Sequence, residues 1–201
     1  MLRSIRSVVG AVAVLLGGTA LAQPPAGAPA TDLFPLKPKS VWVYKVADKT
    51  VEVKVAGTEK FNNEDCTKLD TYVDGKVQAS ELVVVRKEGV FRVKVKDDKV
   101  DPGVMILPIP AKKDDKGWAV DFKVGSSTVK GTFKVKDEKE SVTTEAGKFD
   151  AVVVDGPDLD IAGTKSSVRY WFVANKGIVK LEYVIQGNKA ELELKSYTEG
   201  K

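Results

Sequence analysis

Alternation of apolar and charged residues is the feature of this 201-residue chain that most constrains its fold. In five stretches nearly every second residue is apolar, and the residues between them are mostly charged or polar: 51–55, 91–95, 118–124, 129–135 and 189–195. A period of two puts all the apolar side chains on one face of a β-strand. Strands with one apolar and one polar face are typical of antiparallel sheets. In 91–95, the alternation predicts that Phe91, Val93 and Val95 point inward and that Arg92 and Lys94 point outward.

Turn-forming residues lie between these stretches, where antiparallel strands must reverse. Examples are Asp74-Gly75, Glu88-Gly89, Asn175-Lys176-Gly177 and Gly187-Asn188. Such short connections leave no room for the crossover helices of a parallel sheet, and no segment has a sustained helical period. The sequence therefore predicts an all-β fold with little or no helix, in which an antiparallel meander forms a strongly curved sheet, a half-barrel or an open barrel.

Three runs are apolar on both faces of their predicted strands. They are 82–85, 151–154 and 170–173. A strand that is apolar on both faces must be covered on both, by a second sheet, the wall of a curved sheet, a loop or a partner chain.

The segment Pro102–Pro110 reads PGVMILPIP and combines large apolar residues with prolines. Because proline cannot sit in a central ladder, the segment is predicted to be a loop that plugs one end of the core, with a ligand lid or a membrane-touching loop as alternatives. Trp42 and Tyr44 share one strand face and are predicted to turn inward. The candidate ligand-binding residues are therefore Trp42, Tyr44, Val104, Met105, Ile106 and Leu107.

Residues 1–22 have the three parts of a secretory signal peptide. Arg3 and Arg6 form the basic region, Val8–Leu16 the apolar core, and Ala20–Ala22 the small-residue cleavage site. An uncleaved anchor is the alternative, but the apolar run is shorter than the roughly 20 residues of a spanning helix. The expected product is an exported periplasmic or extracellular protein with no membrane span, cleaved near Ala22. A flexible Pro/Ala-rich tether follows over 23–32, and a single β domain over 33–201.

Charge and composition exclude several functions. Removing Arg3 and Arg6 lowers the net charge from +4 to +2, and the remaining charges are interleaved rather than gathered into the patch that nucleic acid requires. The chain has no histidine, which excludes Ser-His-Asp and Cys-His catalysis and histidine-based zinc sites. No catalytic motif is found, no cofactor is expected, and Cys66, the single cysteine, is predicted to be a half-buried thiol or to pair between molecules.

Asp155, Asp158 and Asp160 form the tightest carboxylate cluster, in a segment containing Gly156-Pro157. They are a weak candidate for a hard-cation site. Asp, Gly and Pro also make ordinary solvated loops, and the spacing does not match an EF-hand.

Three phrases of the sequence resemble a loose set of exported bacterial β-proteins classed as domains of unknown function. Residues 33–44 (LFPLKPKSVWVY) are similar to an F-P-L-x-x-G-x-x-W-x-Y start, with Lys39 in the glycine position. Residues 144–151 are similar to a P-A-G-x-F-x-A hairpin, and residues 170–180 to a Y-W-x … G-x-V-K closing hairpin. The resemblance implies a curved sheet or open barrel, akin to the half-barrels that carry lipoproteins or other lipids in the cell envelope. It brings no catalytic residue with it.

The leading expectation is a non-enzymatic exported protein that binds a lipid or another apolar small molecule, or has a structural role. A carboxylate-based hydrolase of envelope polysaccharide is the first alternative, and requires two acids that converge in a cleft. A protein-interaction module that uses a sheet edge or a two-faced strand is the second.

Overall fold

The structure is a computed structural model that describes residues 32–201. The predicted signal peptide, its cleavage site and residues 23–31 of the predicted tether lie outside the described residues. The described part contains thirteen strands: β1 (Val41–Val46), β2 (Lys49–Phe61), β3 (Glu64–Val73), β4 (Lys76–Arg86), β5 (Gly89–Val95), β6 (Asp98–Pro108), β7 (Trp118–Val124), β8 (Ser127–Val135), β9 (Glu140–Thr144), β10 (Gly147–Ile161), β11 (Thr164–Val173), β12 (Gly177–Ile185) and β13 (Asn188–Thr198).

Twelve of these strands close into an antiparallel barrel. Each pairs with the next along the chain, except that β8 pairs with β10, and β13 returns to pair with β1. The thirteenth, β9, pairs with the first part of β10 only. The predicted antiparallel all-β fold is confirmed, residues 32–201 contain no helix, and the curved sheet closes into a barrel.

The meander gives the barrel two different ends. At one, which we call the hairpin end, six short turns join β1–β2, β3–β4, β5–β6, β7–β8, β10–β11 and β12–β13. The other, the plugged end, carries the start of the described chain, where the Asn175 N–H donates a hydrogen bond of 2.7 Å to the Asp32 carbonyl.

Aromatic rings fill the plugged end. Phe34 stacks on Trp42 with ring centroids 6.3 Å apart and meets Phe172 edge-on at 6.2 Å. The Trp42 Nε1–H donates to the Lys176 carbonyl at 2.6 Å. Gly177 has a φ of +81°, and a Cβ there would lie 3.2 Å from the indole nitrogen, so glycine suits both the turn and the close approach. The predicted inward orientation of Trp42 is confirmed.

The hairpin of β9 and the start of β10 crosses the outer wall of the barrel. At its tip, the Ala146 N–H donates to the Leu194 carbonyl at 3.1 Å, and Glu145 forms ion pairs with Lys45 and Lys195. Beneath it, the Trp171 Nε1–H donates to Glu140 Oε2 at 2.9 Å. This hairpin covers the outer faces of 151–154 and 170–173, while the barrel core covers their inner faces.

The third two-faced run, 82–85, is covered differently. On the outer wall, Cys66, Leu82, Val84 and Val93 form a small buried cluster, flanked by Phe61 and Phe91. Long side chains close this cluster: the Arg86 guanidinium lies 4.6 Å from the Phe91 ring centroid and forms a double hydrogen bond with Glu64. The thiol of Cys66 is fully buried here.

The segment Pro102–Pro110 differs from its prediction, because most of it belongs to strand β6 rather than to a loop. The prolines are tolerated because β6 joins β7 through only two residue pairs, Val100–Val124 and Asp101–Lys123. Beyond those pairs β6 has a neighbour on one side only, as an edge strand does, and a missing N–H breaks no ladder there. We call this part of the wall the β6–β7 seam. The Trp118 Nε1–H bridges it by donating to the Met105 carbonyl at 3.0 Å.

Candidate functional site

The inner face of the barrel is packed differently at its two ends. Toward the plugged end, Val90, Leu107, Phe172 and Val179 have no exposed area. Toward the hairpin end, many inward-facing residues are only half-buried, although paired strands enclose them. They include Val51, Val73, Val95, Val124, Tyr183, Ile185 and Leu192. Val100, Leu159 and Val168, which also lie near the hairpin end, are buried. The barrel therefore has a solid core at the plugged end, whereas its apolar inner wall is only partly buried toward the hairpin end.

An ion pair lies on the inner face between these two regions. Glu81 and Arg92 occupy the middle of β4 and β5, and the Arg92 Nε–H donates to Glu81 Oε2 at 2.5 Å. Their side chains keep 24% and 22% of their area accessible. Since both point into the barrel, the inner face is partly accessible as far as mid-height.

Tyrosines on the opposite wall complete the polar part of the lumen. Tyr170 and Tyr183 both interact electrostatically with Arg92, and Tyr183 also interacts with Tyr170. Burial raises the pKa of Tyr183, and the neighbouring Tyr170 raises it further. Glu81, Arg92, Tyr170 and Tyr183 are called the lumen polar cluster below.

Arg92 keeps its charge in this setting. Burial by itself would lower the pKa of Arg92, but the Glu81 carboxylate, Tyr170 and Tyr183 outweigh it, and the pKa is raised. The cluster thus contains a permanent cation.

Next to the cluster, Tyr44 donates its hydroxyl to the Ile178 carbonyl at 2.9 Å. The pKa of Tyr44 is also raised, first by burial and then by Glu81. The predicted inward orientation of Tyr44 is confirmed, and its hydroxyl is already hydrogen-bonded within the barrel wall.

The sequence interpretation turned Arg92 outward, and the structure corrects this. Strand β5 gains a residue between Arg92 and Lys94, where its pairing with both β4 and β6 is irregular. A bulge reverses the alternation, so Arg92 faces inward beside Val83, while Phe91 and Val93 join the outer cluster. Glu81 and Arg92 were both missed as site residues. Their one sequence signal is that they are charged residues flanking the two-faced run 82–85.

The other candidate ligand residues occupy varied positions. Val104, Ile106 and Leu107 are buried in the core, and Trp42 belongs to the plug. Met105 is paired with Phe91 on the outer face. Contact of these residues with a ligand stays a prediction of the sequence.

The three aspartates that form the candidate cation site have different surroundings. Asp155 is buried and receives two hydrogen bonds from Arg169, at 3.2 and 3.1 Å. Asp160 accepts the Gly163 N–H at 2.6 Å in the following turn, and Asp158 is exposed. The segment belongs to strand β10 rather than to a loop. Across residues 32–201, no group of three or more acidic or cysteine side chains has the arrangement of a metal site.

A concavity lies on the outside of the barrel, near the plugged end. It has a volume of about 420 Å³ and is lined by charged residues of the β6–β7 loop and of 134–140. Those charges neutralise one another, as in Lys113 with Asp137 at 2.8 Å and Lys136 with Glu140 at 2.6 Å. It offers neither an apolar wall nor an excess of one charge.

Residues 32–201 include no helix of the length and apolarity needed to cross a bilayer. No protein-family model matches the chain, and no curated protein matches it.

Two solved structures share the fold. One is a candidate lipoprotein from Parabacteroides distasonis ATCC 8503, with 16% identity and a TM-score of 0.52, the match covering 85% of this chain and 100% of that one. The other is a candidate exported protein with a YmcC-like fold from Bacteroides fragilis NCTC 9343, with 13% identity and a TM-score of 0.52 over 83% of this chain and 99% of that one. At these identities the likeness concerns the fold alone.

Proposed function

We propose that this chain is an exported, non-enzymatic protein whose barrel binds an apolar small molecule through the hairpin end. The observation that carries the proposal is the half-buried apolar inner wall above the lumen polar cluster. Burying apolar area on a preformed wall contributes about 25 cal/mol per Å² removed from water, and sites of this kind are concave, mostly apolar and contain few polar groups. Export is supported by the signal-like residues 1–22 and by the descriptions of the two similar structures.

The hydrolase alternative has less support. A retaining or inverting glycosidase requires two carboxyl groups within about 5 to 10 Å of each other around the substrate. At mid-height of the described lumen there is one carboxylate, Glu81, and it is bonded to Arg92.

The proposal is tested by asking what the lumen contains. The protein is purified from its own compartment and analysed by native mass spectrometry and lipid extraction. It is then titrated with an environment-sensitive fluorescent probe that carries a long acyl chain. A co-purifying apolar molecule, or saturable binding of the probe, is expected. A protein that carries no ligand and does not bind the probe would contradict the proposal.

A pair of substitutions on one strand locates the binding. Ile185 and Val184 are neighbours on β12, and both are half-buried, but Ile185 faces the lumen and Val184 faces outward. Ile185→Trp should narrow the open space and weaken probe binding at least about tenfold, which is about 1.4 kcal/mol. Val184→Trp is the matched control and should bind normally. Equal effects of the two would argue for binding outside the lumen.

A further inference from the structure

The lumen polar cluster restricts how a ligand can lie in the barrel. Glu81 and Arg92 point into the barrel, and their side chains keep about a quarter of their area accessible. An acyl tail laid against these charges would remove their water without replacing its hydrogen bonds, which is unfavourable even for a paired charge. A ligand that reaches mid-height must therefore bring a polar group to the cluster.

The rest of the inner wall fixes the position of the tail. Between the cluster and the hairpin end, the wall consists of Val51, Val73, Val95, Ile185 and Leu192 with their neighbours. This surface offers an acyl chain apolar contact and few hydrogen-bonding groups. The ligand then lies with its headgroup deep in the lumen and its tail toward the hairpin end.

The charge of the cluster selects the headgroup. The Arg92 guanidinium already has the Glu81 carboxylate as its counter-ion, so the pair is neutral. A carboxylate or phosphate headgroup would leave two anions against one cation, and an ammonium headgroup two cations against one anion, in a poorly solvated space where like charges repel strongly. An uncharged hydroxyl, amide or ester can donate to Glu81 or accept from Arg92 and the tyrosines without adding charge.

We infer that the lumen binds a single-chain amphiphile head-first, and that its headgroup is an uncharged hydrogen-bonding group. This inference rests on the proposed function and deepens it by naming the ligand class. The juxtaposition that carries it is a neutral ion pair and two tyrosines on the inner face, at the base of a partly accessible apolar wall.

The experiment compares three ligands that share one chain: oleamide, oleate and oleylamine. Each is titrated below its aggregation threshold, in competition with the fluorescent probe, near pH 8. Oleamide is expected to bind at least about tenfold more tightly than either charged analogue. Tighter binding of oleate or oleylamine by the unmodified protein would overturn the inference, and this measurement needs no variant.

Two variants should reverse the preference in opposite directions. Glu81→Gln leaves the Arg92 cation without its counter-ion, so oleate should become the tightest ligand. Arg92→Gln leaves the Glu81 carboxylate, so oleylamine should become the tightest. Asp155→Asn is the matched control, because Asp155 pairs with Arg169 on the outer wall, and it should leave the order unchanged.

The outcomes separate the inference from the proposed function. If the unmodified protein binds none of the three ligands and not the probe, the proposed function fails. If it binds all three equally, or if Glu81→Gln folds and keeps the original order, the proposed function stands and the head-first inference is overturned. Tyr183→Phe removes one hydroxyl and keeps the ring, so it should weaken oleamide binding a few-fold, and no change at all would count against the inference.

Discussion

Gly156 is the position where a single added methyl group tests the packing of the barrel most directly. A Cβ on Gly156 would lie 2.5 Å from Cε1 and 2.8 Å from Cδ1 of Phe133. Since carbon atoms in contact are normally about 3.5 to 4.0 Å apart, the Phe133 ring must move by about 1 Å. That ring is buried and packs against Trp118 and Tyr170, at centroid distances of 5.9 and 6.4 Å, so its movement displaces other aromatic rings.

The magnitude follows from two opposing terms. Forcing an extra methyl group into a packed core costs about 1 to 3 kcal/mol. Replacing glycine by alanine lowers the entropy of the unfolded chain and offsets about 0.4 to 1 kcal/mol of that. Gly156→Ala should therefore lower the free energy of unfolding by about 1.5 kcal/mol, and a domain of this size should lose about 2 to 4 °C in Tm for each kcal/mol.

A double-mutant cycle with Phe133→Leu identifies the cause. Both single variants should be less stable in urea unfolding, because Phe133→Leu leaves a small cavity. In the double variant the smaller side chain makes room for the new methyl group, so its loss should be smaller than the sum of the single losses by about 1 kcal/mol. A Gly156→Ala protein as stable as the unmodified one, or additive losses in the cycle, would refute the packing argument.

Three further predictions concern the outer wall and the response to acid. Burial raises the pKa of the Cys66 thiol to about 11, so a thiol reagent at pH 8 should react slowly with the native protein and rapidly after unfolding in urea; rapid labelling of the native state would contradict this burial. Glu140→Ala removes the acceptor of the Trp171 Nε1–H and should cost about 1 to 3 kcal/mol with a shift in tryptophan emission, whereas Glu140→Gln, which keeps an acceptor, should cost less; equal losses would mean that the hydrogen bond is not what matters. A hydrogen bond from Lys189 lowers the pKa of Glu191 to about 2, and one from Arg86 lowers the pKa of Glu64 below its usual range. The stabilisation from such carboxylates is complete above their unfolded pKa of about 4.3 and is lost as the pH falls through the folded value. The urea midpoint should therefore fall as the pH is lowered from about 5 to about 2, and a midpoint that rises on acidification would contradict these ion pairs.

The strands and their antiparallel arrangement could be predicted because the alternation and the turn residues that indicate them lie within or next to each strand. Alternation in 118–124 and 129–135 matches β7 and β8, whose inner residues pair across the wall as Trp118 with Phe133 and Phe122 with Val129. Closure of the ring could not be predicted, because it depends on β13 meeting β1, two segments about 150 residues apart. Nothing local in either strand encodes that pairing.

Two errors of the sequence interpretation have the same physical origin. Arg92 was turned outward, and Pro102–Pro110 was predicted to be a loop, because alternation and proline were both interpreted against a regular ladder. The ladder is irregular at both places: β5 carries an extra residue at the bulge, and β6 has lost its pairing with β7 beyond Asp101. Because of the bulge, the period-two pattern assigns Arg92 to the wrong face, and because of the β6–β7 seam, the prolines indicate a loop where there is a strand. The lumen polar cluster could therefore not be predicted from the alternation of residues.

The plugged end has a consequence for how the molecule could be displayed. The described chain enters the barrel at Asp32, beside the aromatic plug and against the turn at Asn175. Anything joined to the protein ahead of Asp32 therefore attaches at the sealed end, and the opening of the barrel faces away from it. Under the proposed function, attachment and ligand exchange would then occur at opposite ends of the molecule, so holding the protein in place would leave the hairpin end clear.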